Sequence, residues 1–364
     1  MKPLLESTDL GLYCPVGDFY IDPRRPVPWA VVTHAHSDHA RWGCRHYLSA
    51  KPGEHLLRMR MNDDAEFQFL NYGESITVGG VDVSFVPAGH MLGSAQVRLE
   101  YRGQVAVVSG DYKLGYDPTC ASWQPIPCHL FVTESTFGLP IYRWQPESVI
   151  AESINQWWRV SRDDGKCCVL YGYAVGKSQH LLASLDPSIG PIYTHGAVEK
   201  GVDAYRRTGI ALPATTYVGS MPARHNWRGA MILAVPSAHG TPWMRKFGRV
   251  STAMASGWMA LRGARRRRSV DRGFVLSDHV DWPSLLKAVQ ENNPDTVWVT
   301  HGYCAAVARY LQDTGRDAIG IDSFVRSEGE EDAAGTTAND PGVMESPNAE
   351  TDHASAEQSS RDQF

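Results

Sequence analysis

The sequence predicts an α/β fold in which one layered sandwich is interrupted by a second α/β unit. Three observations predict it. Short apolar, β-branched runs up to Gly138 each end in polar loops bearing His or Asp. From Pro140 the chain changes to a different alternation of helices and strands. After Gly273 the first pattern returns. Residues 1–140 and 270–326 are therefore expected to form one domain, 141–269 a second domain inserted into it, and 327–364 a tail.

In chain order, PWAVVT leads into HAHSDHA, VDVSFVPA into GHMLGS, QVAVVS into GDYK and HLFVT into ESTFG. Such runs are expected as strands buried between layers. A strand end is rigid yet reachable by solvent, which suits it to chemistry. In the middle segment a helix is expected over 147–160 and a strand at VLY, followed by a turn at Gly176-Lys177-Ser178 that opens a helix. That turn looks like the end of a phosphate-binding loop. The first glycine of GxxxxGK[ST] would fall on Tyr171, so the motif is rejected. The turn remains a helix N-terminus able to hold a backbone phosphate. GAMILAVPS adds a strand. GFVLSDH, DTVWVTHG and RDAIGID then read as strands, separated by the helices DWPSLLKAVQENN and CAAVARYLQDTG.

Of the 364 residues, 43% are hydrophobic and 21% charged, which permits a sizeable core and excludes general disorder. No apolar run approaches ~18 residues, so no membrane span is expected. The N-terminus shows no secretory leader pattern, and a cytoplasmic location is expected. Seven cysteines, an odd set without zinc-ribbon spacing, read as reduced thiols. Cys167-Cys168 reads as core packing. The net charge of −5 conceals an asymmetry: residues 327–364 carry −9, and residues 1–326 carry +4. Whole-chain charge therefore does not exclude nucleic acid as a partner. The tail is too poor in apolar residues to offset its ordering entropy and is expected to be disordered.

The strongest chemical signal is His34, His36, Asp38 and His39 in THAHSDHA, directly after a strand. Three imidazoles and a carboxylate within six positions are metal-site chemistry, suited to zinc or manganese. Alternation sends His34 and His36 the same way, and the turn at Ser37 sends Asp38 and His39 elsewhere. One short loop can then serve two adjacent metals. His90, Asp111 and His301 each follow an apolar strand and adjoin a glycine, so they are further candidate ligands.

These residues resemble the metallo-β-lactamase superfamily. TESTFG, SDHVD and VTHG further resemble its β-CASP nuclease branch, which includes Artemis-like DNA nucleases and the cleavage/polyadenylation and RNase J ribonucleases. Within that branch the chain looks like the bacterial ligase-associated DNA exonucleases, also called mRNA 3′-end processing factor-like. The stretches that carry this are YCPVGDFYIDPRRPV, VVTHAHSDHARWG, SGWMALRGARRRRSVDRGFVLSDHVDW and VWVTHGY, and the likeness covers about residues 10–325. It implies an αββα sandwich with an inserted β-CASP domain. It also implies one divalent ion held by His34, His36, His90 and Asp111, and a second held by Asp38, His39, Asp111 and His301. Zinc is the first expectation and manganese the second. Asp22 in FYIDP matches an acidic motif whose place is beside the ligands; a plain turn Asp before Pro23 is the alternative. Glu134 and His279 match a pair near the scissile phosphate, with His279 as proton donor and Glu134 orienting it.

The activity so implied is phosphodiester hydrolysis. Two divalent ions about 3.5–4 Å apart generate a hydroxide and clamp the phosphate, and an acid, His279, protonates the leaving oxygen. Asp38, at the heart of the motif, is expected to be indispensable to catalysis. DNA exonuclease action in repair is the first reading, with an ATP-dependent DNA ligase and a helicase as partners by resemblance. His301 matches the RNA-processing members, so an RNA 3′-end processing ribonuclease is the alternative. A small-molecule metallo-hydrolase is a third reading. Substrate contacts are expected from Arg265, Arg266, Arg267 and Arg268, with Arg262 beside them, because successive guanidinium groups suit successive phosphates. Ser135, Thr136 and Lys177 are further candidates. Trp227, Trp243 and Trp258 could stack bases, but packing is the plainer reading for each. For His239 a hydrogen-bonded loop position is expected.

Overall fold

The computed structural model describes residues 3–61, 64–261, 263 and 269–321. Among these, three sheets account for the strands. The first has six strands in chain order: Glu6–Thr8, Gly11–Cys14, Phe19–Ile21, Trp29–Val32, His46–Ala50 and Glu66–Leu70. The second has seven, ordered Asp317–Gly320, Thr296–Gly302, Leu130–Ser135, Gln104–Val108, Ala95–Tyr101, Val81–Pro87 and Ser75–Val78. Its early strands form an antiparallel meander, and its later strands add in parallel to Gln104–Val108.

These two sheets pack face to face. Phe19, Ile21, Val31 and Leu48 of the first meet Val83, Phe85, Val97, Leu99 and Val132 of the second in one apolar cluster. The outer faces are covered by helices, because a sheet buried on both sides must bury both alternating sets of side chains. Leu285 and Val289 of helix Trp282–Asn292, with Val307 and Leu311 of helix Cys304–Asp313, cover Val107, Phe131, Val297 and Val299. Leu56 and Leu57 of helix Glu54–Arg60, with Tyr205 of helix Gly196–Arg207, cover Ala30, Val32 and Tyr47. The result is the expected αββα sandwich.

The third sheet is wholly parallel and lies in sequence between strands Leu130–Ser135 and Thr296–Gly302. Its order is Thr216–Tyr217, Ile192–Thr194, Met231–Ala234, Cys167–Tyr171, Val250–Ala255 and Arg272–Phe274. Cys167 and Cys168 point to opposite faces of a strand buried along its whole length, and all seven cysteines are free. Trp157 and Trp158 of helix Glu147–Asp163 close one face; Trp227 and Phe247 close the other.

GFVLSDH departs from the expected strand. Only Arg272–Phe274 pairs, and it does so with Val250–Ala255 of the third sheet. That sheet therefore reaches past the expected boundary at 269. Beyond Phe274 the chain leaves the sheet, and the Ser277 hydroxyl accepts from the His279 N–H. An apolar run shows that a segment is buried but not where its pairing partner stops. Among the described residues no helix is long and apolar enough to cross a membrane. The tail and the Arg262 and Arg265–Arg268 run lie outside the described residues.

Candidate metal centre and its catalytic pair

The loop after strand Trp29–Val32 carries His34, His36, Asp38 and His39; loops after two strands of the second sheet bring His90 and Asp111 to it, and the end of strand Thr296–Gly302 brings His301. The strand pair Leu130–Ser135 and Thr296–Gly302 breaks register at its end: Glu134 lies opposite Thr300, and Ser135 opposite Gly302. His301 is the extra residue of this bulge and has φ +50°. A bulge re-aims a side chain. Gly302, at φ +86°, lets the strands close, since a Cβ there would lie 2.4 Å from the Ser135 carbonyl oxygen.

His34, His36, His90 and Asp111 each offer one ligand atom, all mutually within 4.8 Å. His36 Nδ1 lies 3.1 Å from His34 Nε2 and 3.2 Å from His90 Nε2. Asp111 Oδ2 lies 3.7 Å from His34 Nε2 and 3.9 Å from His90 Nε2. Ligands about 2.0–2.1 Å from a tetrahedral ion are themselves about 3.4 Å apart, so these spacings fit one.

The outer nitrogens decide which inner atoms carry protons. His36 Nε2 faces the Val175 carbonyl at 3.1 Å, and His90 Nδ1 faces the Asp278 carbonyl at 2.9 Å. A carbonyl only accepts, so both outer nitrogens are N–H donors. The Thr33 hydroxyl donates to Asp22 at 2.6 Å, which leaves its oxygen to accept from His34 Nδ1 at 3.1 Å. With these outer partners, the inner nitrogens of all three rings face one another and a carboxylate. Such a set of lone pairs fits a divalent cation. Burial pushes His34 well below its ordinary pKa and His90 down to about 4, with neighbouring imidazoles adding to each. Burial, then His39, likewise lowers His301. These rings are in the neutral form a metal requires.

The second expected set is more open. Asp22, Asp38, His39 and His301 line one cavity. His39 Nε2 lies 3.3 Å from Asp111 Oδ2 and 3.6 Å from Asp38 Oδ2, and its ring stacks on His301 at 5.2 Å. Asp22, at φ +45°, accepts from the Thr33 N–H at 2.8 Å and from His39 Nδ1 at 2.7 Å. Its carboxylate thus ties the Thr33 backbone to the His39 ring. Burial opposes charge on His39, but Asp111, Asp38 and Asp22 outweigh it and raise its pKa well above the ordinary value.

Glu134 and His279 meet beside this cluster. His279 Nδ1 lies 2.9 and 3.1 Å from the two Glu134 oxygens and 3.9 Å from Asp111 Oδ2. Glu134 also accepts from the Tyr112 N–H at 2.9 Å. Both members of the pair are buried. Burial raises the Glu134 pKa, and His279 draws it back.

Three expected substrate contacts are sealed in. Ser135, Thr136 and Lys177 are buried. The Ser135 hydroxyl donates to the Thr300 and His301 carbonyls, and Lys177 pairs with Asp278 Oδ2 at 2.7 Å. In this structure the polar groups of Ser135 and Lys177 are thus engaged by the protein's own atoms. Trp258 packs on Phe137 and Tyr142, and Trp243 on His195 and Phe247. His239 is hydrogen-bonded to Tyr171.

The residue reading missed a second buried polar cluster, formed by Lys113, Asp117, Glu147, Lys177, His180 and Asp278. His180 Nδ1 lies 3.0 Å from Asp278 and 3.3 Å from Asp117, and its Nε2 lies 2.8 Å from Glu147. Lys113 pairs with Glu147. Burial opposes charge on His180, but Asp117 leads a set of carboxylates that raises its pKa to about 9. With both ring nitrogens against carboxylates and two lysines present, these groups already balance their charge without an ion. Only Asp278, beside His279 in SDH, and Lys177, in the Gly176-Lys177-Ser178 turn, carried a sequence signal; the other four sit in ordinary helix and loop contexts.

No family model matches the chain. It is 31% identical over 313 residues to a probable DNA ligase of Opitutus terrae, covering 85% of this chain and 30% of that protein. It is 25% identical over 206 residues to cleavage and polyadenylation specificity factor 73 of Drosophila melanogaster, covering 50% and 29%. It is 24% identical over 231 residues to an RNase J-like protein of Methanocaldococcus jannaschii, covering 54% of each. The chain thus spans less than a third of the first two relatives and about half of the third. A solved structure of a protein of unknown function from Enterococcus faecalis V583 shares the fold, with a TM-score of 0.55 at 11% identity over 82% of this chain and 80% of that one. A two-sheet sandwich with histidines and aspartates gathered at its strand ends defines the metallo-β-lactamase superfamily. The relatives narrow this further: the chain belongs to the superfamily's β-CASP branch.

Proposed function

We propose that the protein is a metal-dependent phosphodiesterase that cleaves nucleic acid, and that its substrate is a DNA end met during repair beside a DNA ligase. The carrying observation is the placement of the buried Glu134–His279 pair 3.9 Å from Asp111, next to the convergent imidazoles. In this reading His34, His36, His90 and Asp111 hold one divalent ion, and Asp38, His39, Asp111 and His301 hold a second. Zinc is the first choice and manganese the second. When bound, such ions supply Lewis acidity and a positive clamp for phosphate oxygens. Glu134 fixes the His279 ring through Nδ1, so that Nε2 presents the proton to the leaving oxygen. Asp22 and Thr33 orient His39 and His34. The segment carrying the third sheet is the inserted β-CASP domain and ends after Phe274. Arg265–Arg268 remain the proposed phosphate contacts.

The ligase-named relative of Opitutus terrae supports DNA. His301 and the relatives named cleavage and polyadenylation specificity factor 73 and RNase J-like protein support the second reading, RNA 3′-end processing by the same residues. Matched end-labelled single-stranded DNA and RNA, with Asp38→Asn as the blank, separate them. Faster shortening of DNA is expected. Faster RNA cleavage would reassign the substrate.

A further inference from the structure

Two of the imidazoles in the candidate centre are oriented by acceptors that the third-sheet segment either supplies or holds in place. His36 Nε2 donates to the carbonyl of Val175, in the turn that opens helix Lys177–Ser184 of the third-sheet segment. The turn is in van der Waals range of the ring, since a Cβ on Gly176 would lie 3.6 Å from His36 Nε2. His90 Nδ1 donates to the carbonyl of Asp278. The Asp278 side chain is gripped by the same helix: Lys177 Nζ lies 2.7 Å from Oδ2, and His180 Nδ1 lies 3.0 Å from Oδ1. One short stretch, Val175 to His180, therefore supplies the acceptor for one imidazole and anchors the acceptor of another.

We infer that Lys177 and His180 are positioning residues that set the affinity of the sandwich's metal centre by holding the Asp278 carbonyl against His90. The inference rests on the proposed reading of the centre as a metal site. A ring nitrogen that loses its carbonyl partner can change tautomer and turn an N–H inward, where a ligand needs a lone pair. Loss of such an outer partner weakens metal binding by about 10–100-fold. Asp117 and Glu147 hold His180 at its other contacts, and Lys113 holds Glu147. The anchor is thus braced from the sandwich as well as from the inserted segment. His279 follows Asp278 directly, so the same grip also fixes where the proposed acid begins.

The test is a zinc titration of metal-stripped full-length protein against a chromophoric chelator, so that metal affinity is read without any turnover. Lys177→Met and His180→Gln should each bind zinc at least about ten-fold more weakly than the unaltered protein. Lys177→Arg, which keeps the charge and the donors, should recover most of the affinity. Unchanged affinity in folded Lys177→Met and His180→Gln overturns the inference while leaving the proposed centre standing. Unaltered protein that binds zinc no better than His34→Ala overturns the centre itself, and the inference with it. If both test variants fail to fold, the grip serves stability rather than the metal, and the inference is overturned.

Discussion

Asp22 shows how much a single side chain settles at this centre. Its two oxygens take the Thr33 N–H, the Thr33 hydroxyl and His39 Nδ1, and through Thr33 they also fix the tautomer of His34. From FYIDP alone, a turn aspartate and a support residue were both open readings, because its partners lie 11 and 17 residues away. Asp22→Asn puts an amide donor where an acceptor is needed. Zinc affinity should fall by about 10–100-fold, as read by chelator competition; unchanged affinity would return Asp22 to a turn role. His279→Ala should lower the cleavage rate by about 10²–10⁴-fold, the range for loss of a general acid, while metal content stays constant. A rate within a few-fold of the unaltered protein would remove His279 from proton transfer. The ligand loop was legible because three imidazoles and a carboxylate fall between His34 and His39, next to an apolar run. Glu134 and His279 were not assignable from local pattern, since their meeting spans 145 residues; only the motif resemblance paired them.

Among the elements, the sandwich strands were the most readable and helix Lys177–Ser184 the least. PWAVVT, VDVSFVPA, QVAVVS and HLFVT became strands because burial on both faces leaves an apolar run in the sequence. VGKSQHLL was read correctly as a turn into a helix, but its lysine and histidine were not read as buried. Charge pairing has no periodicity: Asp278 lies 98 residues from His180. The pairing has a pH signature. The His180 pKa is about 9 in the native protein against an ordinary 6.5, so the folded state holds a proton that the unfolded chain releases earlier. Its contribution to stability is full below pH 6.5 and is lost as pH rises through about 9. The unfolding temperature should therefore fall from about pH 7 to about pH 10, and His180→Gln should flatten that fall. Equal slopes in the two proteins would mean that His180 is not protonated in the native state.

At the scale of the whole molecule, charge is divided between a body of +4 and a terminal segment of −9, and the densest positive run, Arg265–Arg268, leads into the loop of His279. Replacing these four arginines with alanine should weaken nucleic-acid binding. For every phosphate that the variant no longer neutralises, the slope of log affinity against log salt should shrink by about one unit. An unchanged slope would make the run a solvated loop. The central claim is that the histidines and aspartates gathered at the strand ends form a metal-dependent phosphodiesterase centre. Its most direct test is cleavage of end-labelled single-stranded DNA or RNA by chelator-stripped protein, titrated with zinc or manganese beside Asp38→Asn. The prediction is no cleavage without metal, recovery on titration, and no recovery in Asp38→Asn, whose partly exposed side chain can change without unfolding the chain. Cleavage that persists in the stripped protein or in folded Asp38→Asn would contradict the account.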